Sequence, residues 1–377
     1  MMRVLSRLIT PVTRPTPKSL VGFALASVIA NAVIISTGAA VRLSSSGLGC
    51  PDWPQCTKTS VVAAHSPGQT SLNTAIEFTN RLLNFPLVAI AGLTFIACLL
   101  WYRQHGGRAS GRKDIVWLSA ILPLGVIAQA VVGGIVVLTK LNPAMVSLHF
   151  LLSAAVILSA AVVLHARVSR LAAEQDKHDI ERSRAPRAPI RADLRVMAAL
   201  LVTVTGLMLA AGTVVTGTGP LAGTTIDSHG HRTTVPRFHF SLEAVTQLHA
   251  DIGWFIGALA VGLVIGLRFA GAPAKTVRLG WIVLFGLGLQ GVIGYVQYFN
   301  HLPAGLVWVH VATSVVLWIF ILRLYLSTWT PGTPPLRTLL LRRTGALPAV
   351  TDSSVPGRTA ESGDTVPASP PLKTTIP

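Results

Sequence analysis

The chain has 377 residues, of which 51% are hydrophobic and only 12% charged, with a mean hydropathy of +0.60. An ordinary soluble domain is about 25% charged, so a disordered chain is excluded and a soluble globular enzyme is disfavoured. Lys and Arg outnumber Asp and Glu by 31 to 14, a net charge of +17, and three cysteines are too few for a disulfide-built scaffold.

A membrane-spanning helix needs about 20 mostly apolar residues. Residues 1–18 carry Arg3, Arg7, Arg14 and Lys18 and are poor in acids. They read as an organelle transit peptide or a cytoplasmic leader, and the apolar run that follows at once favours the leader. Runs without Asp, Glu, Lys or Arg then cover Ser19–Val41, Leu82–Leu100, Ile115–Thr139, Leu141–Ala166, Val196–Ile226, Ile252–Leu267, Leu279–Asn300 and Leu302–Leu322. The second and sixth helices are expected to begin earlier, near Ser71 and Ser241. The expectation is an all-α polytopic membrane protein with eight transmembrane helices.

Basic residues cluster before the first span, between spans 2 and 3 (Arg103 to Lys113), 4 and 5 (Arg167 to Arg195) and 6 and 7 (Arg268 to Arg278), and after the eighth (Arg337 to Arg343). All these segments fall on one side, which the positive-inside rule makes cytoplasmic, together with both termini. The +17 is then a topology signal, and no nucleic-acid partner is implied. Residues 327–377 are rich in Pro, Thr and Ser and read as a disordered cytoplasmic tail.

The chain contains itself twice. Gln129, Gly133 and His149 recur 161 positions later as Gln290, Gly294 and His310. Ala75 to Asn80 aligns with Ala244 to His249, and Thr37 to Val41 with Ala211 to Val215. The expected organisation is two pseudo-symmetric four-helix bundles, residues 19–166 and 196–326, joined by a basic cytoplasmic linker, 167–195. An even number of helices per unit makes the repeats parallel, about an axis along the membrane normal. Four-helix bundles place cofactors between facing helices.

Ionisable residues at membrane depth are functional candidates by default. His149, His249 and His310 share one depth near the outer surface. If the sixth helix meets the eighth, His249 and His310 face one another, and two facing imidazoles can clamp a haem iron. The bland alternative is satisfied core histidines; three at one depth, two of them repeat-related, favour haem. The repeat places a fourth at position 80, where the chain has Asn80. The N-terminal half then has His149 as its only histidine of this set, which suits an exchangeable haem. Glu77 lies one turn before Asn80 and reads either as a base or electrostatic stabiliser at the site or as an interfacial partner of Arg81. His165 falls about 24 Å further along its helix than His149 and reads as a residue of the cytoplasmic edge. His229, His231 and His239 read as loop histidines and Cys98 as a buried apolar residue. Cys50 and Cys56, with five residues between them in an outer loop, favour a disulfide over a metal pair.

The segment from Arg42 to Cys56, with Ile76 to Arg81, Leu148 to Phe150, Gln247 to Asp251 and Val309 to Val311, resembles the heme A synthase family in order along Leu20 to Leu326. The resemblance implies oxidation of the C8 methyl group of heme O to a formyl group, giving heme A for cytochrome c oxidase. It implies that His249 and His310 ligate heme b in the C-terminal half. It implies heme O as substrate in the N-terminal half, with His149 as axial ligand, Glu77 as the catalytic carboxylate, Asn80 and Arg81 in the pocket, and a Cys50–Cys56 disulfide over it. The family usually has His where this chain has Asn80. The implied surroundings are membrane lipid, heme O synthase and cytochrome oxidase assembly factors in a bacterial plasma membrane, with the mitochondrial inner membrane as the alternative. The residues identify neither the electron donor or acceptor nor a homo-oligomer contact. The rival from another class is a di-haem electron-transfer cytochrome without porphyrin chemistry; a repeat-built transporter with a histidine proton relay comes after it.

Overall fold

The structure, a computed structural model, describes residues 10–63, 70–178, 190–226 and 232–329. Among them are eight helices long and apolar enough to cross a membrane. They are α1 (Pro17–Leu43), α2 (Ser71–Gln104), α3 (Lys113–Leu138), α4 (Pro143–Leu151, continued to His178), α5 (Ala192–Thr218), α6 (Leu242–Phe269), α7 (Ala274–Phe299) and α8 (Ala304–Ser327). In hydrocarbon every backbone group must be satisfied within the chain, and helices do this segment by segment.

The helix starts are written in short polar residues. The Thr70 hydroxyl accepts from the Asn73 N–H and the Ser241 hydroxyl from that of Ala244, so α2 and α6 begin in their polar first turns, before the uncharged runs. Two bounds differ from the charge-free runs. α5 stops at Thr218, because Gly219 and Pro220 follow; the uncharged stretch beyond them forms a short strand, β1 (Thr224–Ile226), paired antiparallel with β2 (Arg232–Thr234). α4 continues past Ala166 to His178, so the first part of the expected linker is helical. The remainder of that linker, 179–189, and the tail from residue 330 lie outside the described residues.

Each half closes a ring: α1 packs on α2, α2 on α3, α3 on α4 and α4 on α1; α5 to α8 repeat the pattern. The halves join through α1 with α8, α4 with α5, and α4 with α8. The turns before α4 and α8 are copies of one another. Lys140 and Leu141 have φ of 52° and 59°, and their counterparts His301 and Leu302 both have 59°. The Leu141 N–H donates to the Val136 carbonyl and that of Leu302 to Gln297, each at 2.8 Å. Left-handed pairs of side-chain-bearing residues are uncommon, so their recurrence marks a built turn. The caps then differ: Asn142 with Pro143 behind it starts α4, whereas Pro303 itself caps α8, which accounts for the one-position slip between the two prolines.

The copies part company within α4. Leu152–Leu158 is π-helical. The buried Trp318 of α8 donates its indole N–H to the Ala154 carbonyl within this stretch (3.1 Å) and to the hydroxyl of Ser159 just after it (3.0 Å). Trp318→Phe is expected to leave those acceptors without this donor and to cost about 1–2 kcal/mol, read as a lower unfolding temperature in detergent; an unchanged temperature would show that the bond adds nothing.

Candidate functional site

A cavity of about 1700 Å³ is lined by all eight helices and by Trp53 and Pro54 of the loop after α1. A pocket for one small ligand is roughly 300–1,000 Å³, so this volume suits more than one bulky apolar group. His149, His249, His310, Glu77, Asn80 and Arg81 all line it. His165 does not, and His239 lies in an exposed stretch before α6. His229 and His231 lie outside the described residues. Cys98 is buried with a free thiol.

The copied turns place His149 and His310 in the second turn of α4 and α8. A glutamine one helix back fixes each of these turns. The side-chain amide of Gln129 donates to the His149 carbonyl at 2.9 Å, and that of Gln290 to the His310 carbonyl at 3.2 Å and the Thr313 hydroxyl at 2.8 Å. These bonds position the backbone and leave the imidazoles alone: Nδ1 of His149, His249 and His310 is buried with no hydrogen-bond partner. The His249 and His310 rings face each other with centroids 6.4 Å apart and planes 63° apart.

Glycines make the room for these rings. A Cβ added to Gly133 would stand 3.1 Å from the His149 ring and one on Gly212 3.2 Å from the His249 ring. The sequence repeat contained Gly133 and Gly294, but that they face the imidazoles was not legible from spacing.

Glu77 is 5% exposed. One carboxylate oxygen accepts from the Cys50 N–H at 2.8 Å; the other accepts from Arg81 at 2.7 and 3.1 Å. Arg81 also donates to the carbonyls of Cys50, Asp52 and Gln55. The i,i+4 pair read from the sequence is therefore present, and it does more than neutralise a charge: it ties α2 to the loop closed by the Cys50–Cys56 disulfide. Trp53 of that loop packs so closely on α3 that a Cβ on Gly134 would come within 2.5 Å of its ring. Arg42, near the end of α1, crosses to the other half, donating to the Thr216 hydroxyl at 3.1 Å and the Ala222 carbonyl at 3.4 Å. Arg42 and Thr216 hold the same position in the two repeats, a contact the sequence alignment allowed but did not announce.

Arg81→Gln is expected to free the loop, since several charge-assisted bonds of about 1.5–3 kcal/mol each are lost or weakened. Amide exchange across residues 49–56 should then speed up roughly tenfold or more. Exchange as slow as in the parent would mean that the disulfide alone holds the loop.

A family model described as COX15-CtaA, cytochrome oxidase assembly protein, matches residues 22–322. The heme A synthase of Lysinibacillus sphaericus (strain C3-41) is 30% identical over 129 residues, 34% of this chain and 38% of that protein. The heme A synthase of Bacillus cereus (strain G9842) is 30% identical over 119 residues, 32% and 34% of the two chains, and that of Bacillus mycoides (strain KBAB4) 29% over 119 residues. The matched stretch thus spans little more than a third of each of the first two relatives. With the family model covering all eight helices, the chain belongs to the COX15-CtaA family of cytochrome oxidase assembly proteins.

Proposed function

We propose that this membrane protein is an oxidoreductase that converts heme O to heme A by oxidising the C8 methyl group of the porphyrin to a formyl group. The observation that carries the reading is the set of three imidazoles, two of them repeat-related and all free of hydrogen bonds at Nδ1, that line one large apolar cavity. The similarity to heme A synthases supports it.

In the C-terminal half, His249 and His310 would hold a b-type heme: their rings stand with centroids 6.4 Å apart inside the cavity, and no hydrogen bond ties up the Nδ1 of either. Bound there, the heme supplies a one-electron relay. The N-terminal half receives heme O, with His149 as its ligand and Asn80 and Arg81 in the pocket wall. Two successive two-electron oxidations, each adding oxygen from water, take the methyl to an alcohol and then to a geminal diol; loss of water leaves the aldehyde. Glu77 stabilises positive charge developing at the methyl carbon and accepts a proton from the incoming water. Arg81 and the Cys50 N–H hold the Glu77 carboxylate in one orientation throughout. The electrons leave to an external redox partner.

The basic ends of the helices face the cytoplasm of a bacterial cell, and the disulfide loop faces outward. Heme O arrives from a farnesyl-transferring heme O synthase, and heme A leaves for cytochrome oxidase assembly.

Co-expression with a heme O synthase, followed by purification in detergent and chromatography of the extracted haems, tests the reading. Heme A or its alcohol precursor is expected, together with heme b. Glu77→Ala should keep the heme b spectrum and stop at heme O or the alcohol, while normal heme A would remove Glu77 from the chemistry. His310→Ala should abolish the heme b signal, and an unchanged spectrum would overturn the bis-histidine assignment. Heme b beside unconverted heme O in the parent protein would favour the di-haem electron-transfer cytochrome, or an enzyme disabled at Asn80; Asn80→His tells these apart by restoring conversion only in the second case.

A further inference from the structure

The two rings match at three of four corresponding places. Gly133 of α3 faces His149, Gly294 of α7 faces His310 and Gly212 of α5 faces His249; a Cβ added to each would stand 3.1, 3.6 and 3.2 Å from the imidazole Cε1. By the repeat the fourth pair is Gly38 of α1 with residue 80 of α2. A Cβ on Gly38 meets nothing within 4 Å. The short Asn80 side chain does not reach it, and the Asn80 carbonyl oxygen is buried with no hydrogen-bond partner. Gly38, Asn80 and Glu77 all line the cavity. The N-terminal half therefore has a void where the C-terminal half has the His249 ring.

We propose that this void is a small-ligand site: between Gly38 and Asn80, opposite His149, it takes a neutral nitrogen- or oxygen-donor molecule of water to imidazole size. The proposal rests on the reading that His149 holds the iron of the porphyrin substrate, and it adds that the other face of that iron is open to an exchangeable small molecule. The C-terminal half has no such opening, since the His249 ring stands there.

The test uses the full-length protein co-expressed with a heme O synthase, purified with haem in both halves, oxidised, and titrated with imidazole as the probe. The expected result is a high-spin signal that imidazole converts to low-spin, beside a low-spin signal from the His249/His310 side that does not respond. Asn80→His should make both signals low-spin and abolish the response. Gly38→Leu, which fills the niche, should block imidazole and leave the His249/His310 signal intact. Asn80→Ala keeps the space open, so imidazole should still bind. Two low-spin signals in the parent with no response, or an undiminished response in Asn80→His, would overturn the proposal while leaving the haem reading standing. A responding signal that survives His149→Ala, or preparations that never hold a second haem, would overturn the haem reading of the N-terminal half and the proposal with it.

Discussion

Close approach between paired helices governs the interior of this protein. Where α3 meets α4 and α7 meets α8, and again where α5 meets α6, a glycine stands opposite an imidazole, and at Gly133 and Gly212 a Cβ would crowd the ring. Membrane helices pack without a hydrophobic drive between them, so small residues and polar contacts set the spacing. The same rule appears between α1 and α2, where the hydroxyls of Ser27 and Thr94 meet at 2.9 Å and are buried. Depth comes from a second device. The paired left-handed residues at 140–141 and 301–302 turn the chain sharply, so that His149 and His310 enter at the same height. Spacing and depth together define a cavity that the proposed chemistry only has to furnish.

Glu77 links that cavity to the loop above it. Its two oxygens are divided between the Cys50 amide and the Arg81 guanidinium, and Arg81 holds three carbonyls of the disulfide loop. A carboxylate so tied cannot swing freely: the structural pairing is present, and the reactive role proposed for this residue is compatible with it. Pre-organisation of charge is what catalysis at a developing cation requires, and the loop that covers the cavity is also what supplies the orientation.

Much of this was legible in the residues. Charge-free runs gave the eight spans, and the polar turns near Ser71 and Ser241 marked the starts of α2 and α6, which Thr70 and Ser241 cap. The sequence repeat aligned His149 with His310 and left Asn80 as the odd position. The facing of His249 and His310 required only that α6 and α8 belong to one bundle. Other features rest on contacts between distant segments and leave no local trace. The stretch from Leu152 to Leu158 reads as ordinary helix, and the indole that donates to its Ala154 carbonyl comes from Trp318, more than 150 positions away. The fifth uncharged run continued past Gly219 and Pro220, so charge alone overstated the helix that the breakers ended. The emptiness beside Gly38 is a property of three-dimensional space that no spacing rule contains.

The Trp318 contact bears on why the two halves share one chain. Residue 157 is the repeat counterpart of Trp318, and it is an isoleucine; no indole is returned from α4 to α8. The π-helical stretch likewise occurs on one side only among the described residues. A homodimer of identical four-helix units would have to offer the indole and its acceptors on both copies at a single axis, where the two arrangements would collide. Fusion removes that requirement. Once each half is encoded separately, a donor can be placed on one face and its receptor on the other, and the seam becomes a lock and key that only the tandem chain can form. The same freedom allowed position 80 to drift from its counterpart without altering the ring around His249.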